Sequence, residues 1–496
     1  MARPARLHLS WRRNGDSLDI ALAVNSLLAH THPVWWCLRL SGAVEPGDYL
    51  VEGPPDLAPR LAALGLSTAP WPGRLPRGAQ LLEAPRVSLL AGRASAYPYF
   101  AYYALCLARL GLSYDPVGGP EIARGAMGTA NLFVLPGGFA TWGLDTAEAT
   151  PGADAAVRAF LETGGACIGS CGGAYYLSAG RPGWTGTAWS RPRYTHEYLQ
   201  SGTGIVSVRV SDPVLGLGCP ATVEMPYFHG PIYDDVGRGT EIAAVFHSLC
   251  LPGRLAIDNP LEARWFGREM AGRPAILRAR GPRGRAVLFS PHPEMGDLVR
   301  KYIALDGYVR RYVSIRGRRT MEETLRAYRP LDSPAFRLVL NAAHALMVEE
   351  AGRRLRDAPE PVGGGTHAVR PLSSLRLFRE AAREILASIR PPRPAGHGAV
   401  VRTVLEDLTV RLTPAANTLE KALRRLGVAP DDEGRRILAA WNHLARQATD
   451  VLGQGRLSGR FVAEQLMHVE LAICLWDAWR RLIEAELLLA PARSRQ

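Results

Sequence analysis

The chain has 496 residues, too many for one hydrophobic core and enough for two to four units of roughly 100–200 residues. A composition of 47% hydrophobic and 21% charged residues, at a mean hydropathy of -0.04, excludes a disordered or fibrous protein. The net charge of +13 is almost wholly arginine, because Lys301 and Lys421 are the only lysines. Basic pairs such as Arg12-Arg13, Arg310-Arg311 and Arg480-Arg481 are scattered and lack interleaved aromatics, which argues against nucleic-acid binding.

Residues 1–85 alternate short apolar runs (Leu7 to Trp11, Trp35 to Leu40, Tyr49 to Val51) with Pro and Gly, and read as a small strand-rich unit of unassigned role. From Arg86 apolar strands alternate with helical segments: a strand over 87–92, a helix over 97–110, a strand over 131–138, a helix over 154–163 and a strand over 166–169. Repetition of strand and helix with buried strands predicts an α/β domain over 86–315, a flavodoxin-like parallel sheet with helices on both faces. A connecting helical segment over 316–368 follows, and 369–496 reads as a C-terminal α-helical bundle, with helices over 372–389, 400–426, 432–452 and 458–489. The glycines 363–365 and the prolines around 391–394 predict a hinge, so a chain ending near Asp357 is expected to stay folded. Trp476 and Trp479 are expected on a surface for self-association or partner docking.

Seven cysteines without a CxxC pair suggest neither a disulfide framework nor a zinc site, and a reducing cytoplasm is the expected compartment. No metal or organic cofactor is expected. No apolar segment follows Arg3 and Arg6, and no charge-free run of about 18 apolar residues occurs, so neither signal peptide nor membrane span is expected.

The chemistry concentrates in residues 166–176, ACIGSCGGAYY. Cys171 lies between Gly169 and Gly173, after a buried strand and at the start of a helix, the arrangement of a nucleophile elbow with sulfur in place of oxygen. The helix N-terminus there favours thiolate. Ser170 has Ile168 two residues before it instead of glycine, and Cys167 reads as core. In SPHPE (290–294), again after a strand, Glu294 can reach back along extended chain to orient His292. Gly137 and Gly138, after a third strand, leave backbone N–H groups for an oxyanion, with the N–H of Gly172 as second donor. His229 either lines the pocket or bonds a backbone carbonyl. Trp142 and Tyr175 either wall a substrate or pack in the core.

The set VLPGG (134–138), GSCGGA (169–174) and SPHPE (290–294) resembles the class I glutamine amidotransferase-like superfamily. Within it, G-x-C-x-G-A-Y, YFHGP (227–231) and FRLVLNA (336–342) are similar to the biotin-protein-ligase N-terminal-domain type. The resemblance implies that Cys171 attacks an amide, His292 shuttles protons and Glu294 orients the ring. Departures accompany it: Gly172 stands where related proteases place His, and residues 280–285 read as a hairpin turn, not a biotinyl-adenylate loop. No G-x-x-x-x-G-K-[ST] is present, so any synthase or ligase partner is another chain. The expected function is a cysteine hydrolase or glutaminase-type amidase acting on a small-molecule amide through a thioester. The alternative is a non-catalytic binding or regulatory module with the same fold.

Overall fold

The computed structural model describes residues 3–71, 74–91, 95, 98–138, 150–178, 190–192, 203–237, 239–250, 261–280, 284–311, 333–351, 371–389, 395–426 and 462–490. Trp142, the expected helix over 432–452, the glycines 363–365 and the prolines 391–394 lie outside the described residues.

The N-terminal unit runs β1 (Ala5–Leu9), α1 (Asp19–Ala29), β2 (Val34–Cys37), β3 (Tyr49–Gly53), α2 (Leu57–Ala63), β4 (Ala69–Pro70) and β5 (Ala79–Leu81). Its strands form an antiparallel sheet ordered β4-β1-β3-β2-β5. α1 is absent from the sequence reading. Every residue from Ile20 to Leu28 is buried, Asn25 and Ser26 included, and a helix buried all round shows no clear apolar stripe for periodicity to detect.

Next come β6 (Val87–Leu90), α3 (Tyr99–Arg109), β7 (Tyr114–Val117), α4 (Gly119–Ala123), β8 (Leu132–Leu135), α5 (Ala153–Glu162), β9 (Ala166–Ser170) and α6 (Gly172–Leu177). They lead into β10 (Ser190–Pro192), β11 (Thr203–Val210), β12 (Thr222–Phe228), β13 (Tyr233–Val236), β14 (Thr240–Leu249), α7 (Ala263–Glu269), β15 (Pro274–Arg280), β16 (Arg285–Phe289) and α8 (Gly296–Arg311). A nine-stranded sheet has the order β12-β11-β14-β15-β16-β9-β8-β6-β7. Five neighbours, β7-β6-β8-β9-β16, are parallel. Numbered by themselves in chain order they read 2-1-3-4-5, the flavodoxin-like order. β8, β9 and β16 are buried along their whole length, as continuous apolar strands covered on both faces must be. The remaining four strands extend the sheet antiparallel. Arg280 pairs with Arg285 across β15 and β16, so the stretch between them joins two antiparallel neighbours, as the hairpin reading expects.

Four long helices complete the described chain: α9 (Pro334–Ala351), α10 (Pro371–Ser388), α11 (Ala395–Leu426) and α12 (Val462–Leu489). α12 packs on α11 and α10, and equally on α3, α8, α1 and α2. One apolar core therefore runs from Leu7 through one face of the large sheet to Leu489, and a second, around Phe133, Val157, Cys167 and Tyr176, fills the opposite face. This corrects the expectation of a bundle that folds apart from the sheet. Trp476 and Trp479 are fully buried, with Trp479 edge-on to Tyr114, and so offer no docking surface. Helical periodicity marks which positions are apolar but cannot say whether a neighbour in the same chain covers them.

Two buried polar links cross these layers. Glu470 of α12 accepts hydrogen bonds from Lys301 at 2.5 Å and Tyr302 at 2.6 Å on α8, and from Arg411 of α11 at 2.8 Å. Burial raises the Glu470 pKa, but the cations Lys301 and Arg411 outweigh it and hold the carboxyl below its ordinary value. In the second link Asn25 of α1 donates to the Leu110 carbonyl at 2.7 Å, leaving its oxygen to accept from His344 Nε2 at 2.9 Å. Nδ1 of His344 then accepts from the Tyr49 hydroxyl at 3.0 Å. Burial, with the nearby charge of Arg337, depresses the His344 pKa to about 3, so the ring is neutral. Among the described residues no helix is long and apolar enough to cross a membrane.

Candidate functional site

Three parallel strands end side by side, and each delivers one part of the site. β9 ends at Ser170, and Cys171 follows with φ 51° and ψ -111°, a conformation that non-glycine residues rarely adopt. Its N–H donates to the Phe289 carbonyl of β16 at 2.9 Å, and its carbonyl accepts from Tyr175 N–H at 2.9 Å, opening α6. The close approach of strand and helix requires glycine at 173, where a Cβ would stand 2.1 Å from the Leu135 carbonyl oxygen. The turn between β9 and α6 thus has its backbone pinned on both sides.

β16 delivers His292 and Glu294. The His292 N–H donates to the Pro226 carbonyl at 2.8 Å, and Nδ1 meets Glu294 Oε1 at 2.6 Å. Both side chains are buried. Burial alone lowers the imidazole pKa; the negative charges of Glu294 and of a Cys171 thiolate overcome it, and the net direction is upward. Tyr99 of α3 lies beside the ring at 6.3 Å between centroids, and Phe228 meets it edge-on at 5.8 Å. The Cys171 thiol donates to the Phe228 carbonyl at 3.0 Å, while His292 Nε2 has no hydrogen-bond partner among the described residues. The thiol thus makes its hydrogen bond at the β12 end, and the His292 ring is near enough to feel the charge of a thiolate there.

β8 delivers Gly137 and Gly138. A Cβ at Gly137 would stand 2.8 Å from His292 Cε1 and 3.5 Å from Cys171 Cβ, so this position touches both chemical groups and has room for hydrogen only. Gly138 has φ 103°, and a Cβ on Gly172 would fall 2.4 Å from the Gly138 carbonyl oxygen. The structure thus brings together Cys171, His292, Glu294, Gly137, Gly138 and Gly172. Tyr175 is buried in the first turns of α6. His229 is half-buried with φ 51°, directly after Phe228, whose carbonyl accepts from the Cys171 thiol.

Sequence reasoning misses Tyr99, Tyr103, Phe228 and the part played by Ser170. Tyr103 is buried on α3, and its hydroxyl meets Ser170 Oγ at 2.5 Å. The spacing of Tyr99 and Tyr103 puts them on one helix face, which is the available signal, but it reads equally as core packing. Cys167 lies in the second core, and burial pushes its thiol pKa well up.

No family model matches the chain, and no curated protein matches it. Solved structures with a similar fold include a glutamine amidotransferase, 20% identical over 42% of this chain and 90% of its own, at a TM-score of 0.29. A glutamine amidotransferase from Thermotoga maritima is 15% identical over 52% of this chain and 98% of its own, at a TM-score of 0.33. The PurLQS structure from Thermotoga maritima is 15% identical over 43% of this chain and 89% of the matched chain, at a TM-score of 0.28. At such scores the likeness assigns no chemistry, which has to come from the site.

Proposed function

We propose that the chain is a class I amidotransferase-like cysteine hydrolase that cleaves the amide of a small molecule. The carrying observation is the strained turn that fixes Cys171 beside a buried His292–Glu294 pair at the ends of adjacent parallel strands. The thiolate attacks the amide carbonyl, forming a C–S bond and pushing the carbonyl electron pair onto oxygen. The N–H groups of Gly138 and Gly172 hold that oxyanion. On collapse the C–N bond breaks and the leaving nitrogen takes a proton from imidazolium His292, whose upward pKa suits a proton donor. Water then attacks the thioester and gives a proton to His292, releasing the carboxylate and the thiolate. Tyr175 and His229 border the pocket in this reading, and a synthase or ligase on a separate chain receives the ammonia. The finer likeness to the biotin-protein-ligase N-terminal type belongs to the same proposal and is supported by residues 227–231, whose Phe228 meets His292.

Ammonia release from L-glutamine and simple primary amides is the test, run beside iodoacetamide labelling at neutral pH. Cys171 is expected to label before the other six cysteines, and Cys171→Ala to abolish turnover with an unchanged melting curve. Turnover retained in that variant overturns the proposal. A wild type that neither turns over nor labels at Cys171 favours the binding-module alternative, to which the burial of Cys171 and His292 lends weight.

A further inference from the structure

α3 forms the wall behind the triad. Tyr99 lies beside the His292 ring, and one turn later Tyr103 places its hydroxyl 2.5 Å from Ser170 Oγ. Both Tyr103 and Ser170 are wholly buried, so their hydrogen bond is made away from solvent. Ser170 is the last residue of β9, and the next peptide carries the positive φ of Cys171. A strained conformation persists only where its surroundings over-determine it, and a buried bond on the preceding side chain is such a restraint. The Tyr103 hydroxyl also senses Glu294: burial is the main influence pushing its pKa up, and the carboxylate's negative charge is the next. α3 packs against the short turn Pro293–Met295 that contains Glu294.

We infer that Tyr103 is a positioning residue: through Ser170 it fixes the backbone turn that aims Cys171, and together with Tyr99 it holds the His292–Glu294 pair in line with that thiol. The role rests on the hydrolase reading for its consequence in turnover, but the geometry that it fixes is measurable without turnover. Tyr103 acts through Ser170 and not on the reacting atoms themselves. Tyr103 has a second attribute that a plain core residue lacks, since its hydroxyl bonds the residue beside the nucleophile.

The experiment uses the full chain with Tyr103→Phe, Ser170→Ala and the double variant. Phe keeps the ring and removes only the hydroxyl, so the fold is expected to persist, as a melting curve records. Iodoacetamide labelling of Cys171 is expected to slow about tenfold, roughly one hydrogen bond's worth of orientation, with its pH profile displaced. The two single changes remove the same bond, so the double variant should label no more slowly than either single one. Additive losses, or a Tyr103→Phe variant with the wild-type rate and profile, overturn the inference. The proton shared by His292 Nδ1 and Glu294, followed by NMR with labelled histidine, supplies a readout independent of nucleophilic reactivity. Its signal should shift in Tyr103→Phe, and an unchanged signal overturns the inference even if wild-type Cys171 proves unreactive. Unreactive wild-type Cys171 with a shifted signal removes the hydrolase reading and leaves the positioning role standing.

Discussion

Cys171 holds a backbone conformation that costs on the order of 1–3 kcal/mol, and that cost is met by the two backbone bonds that bracket it. His292 and Glu294 add the proton chemistry. Because the His292 pKa is raised in the folded chain, the stabilisation from its imidazolium is fully present below the ordinary histidine value near 6.5. It is lost as pH rises through the higher folded value. Glu294→Gln removes the main charge sustaining that shift, so the alkaline limb of Cys171 labelling should move to lower pH. Turnover should fall by roughly 10- to 10⁴-fold. Labelling rates followed across pH 6 to 10 on both proteins check this, and superimposable profiles would remove Glu294 from the mechanism. At this scale the sequence is informative because the three motifs are local: each directly follows its own strand. The Phe228 carbonyl and the Tyr103 hydroxyl are not legible there, since their bonds to Cys171 and Ser170 are created only by sheet pairing and helix packing across 57 and 67 positions.

Among the elements, the parallel half of the sheet is readable because strands buried on both faces are continuous apolar runs. The antiparallel half, β11, β12, β14 and β15, is not, because an order such as β12-β11-β14 depends on pairing partners and no local pattern encodes it. α1 escapes because it is buried all round, so its polar residues do not mark an exposed face. The tie between α8, α11 and α12 rests on Glu470. Glu470→Gln would leave Lys301 buried without its carboxylate, so a loss of about 3 kcal/mol in unfolding free energy is expected. Urea unfolding checks it, and a Lys301→Met, Glu470→Leu double variant should recover part of the loss.

For the whole molecule, the shared core changes what truncation should do. A chain ending near Asp357 removes α12 and uncovers the faces of α3, α1 and α8 that it buries. Such a chain is expected to aggregate or to lose cooperative unfolding, and a sharp calorimetric transition in it would restore the separate bundle. Acid should act on the same assembly through His344, which joins the N-terminal unit to α9. Its folded pKa is depressed, so the stability from keeping it neutral is present above about pH 6.5 and is lost as pH falls toward about 3. The slope is at most about 1.4 kcal/mol per pH unit from this one group. His468, lowered to about 4 by burial, acts in the same direction. His344→Gln should flatten the acid limb of the stability curve between pH 6.5 and 5, measured by urea midpoints. An unaltered limb would assign acid sensitivity elsewhere.

The scarcity of lysine has a practical corollary. Lys421 is exposed on α11, whereas Lys301 is sealed against Glu470. An amine-acylating reagent applied to the native chain should therefore mark Lys421 and the terminal amine at once, and reach Lys301 only when α12 lifts from α8. Acylation of Lys301, resolved by peptide mass spectrometry, becomes a clock for the detachment of the final helix, read against Lys421 as an internal reference in the same molecule.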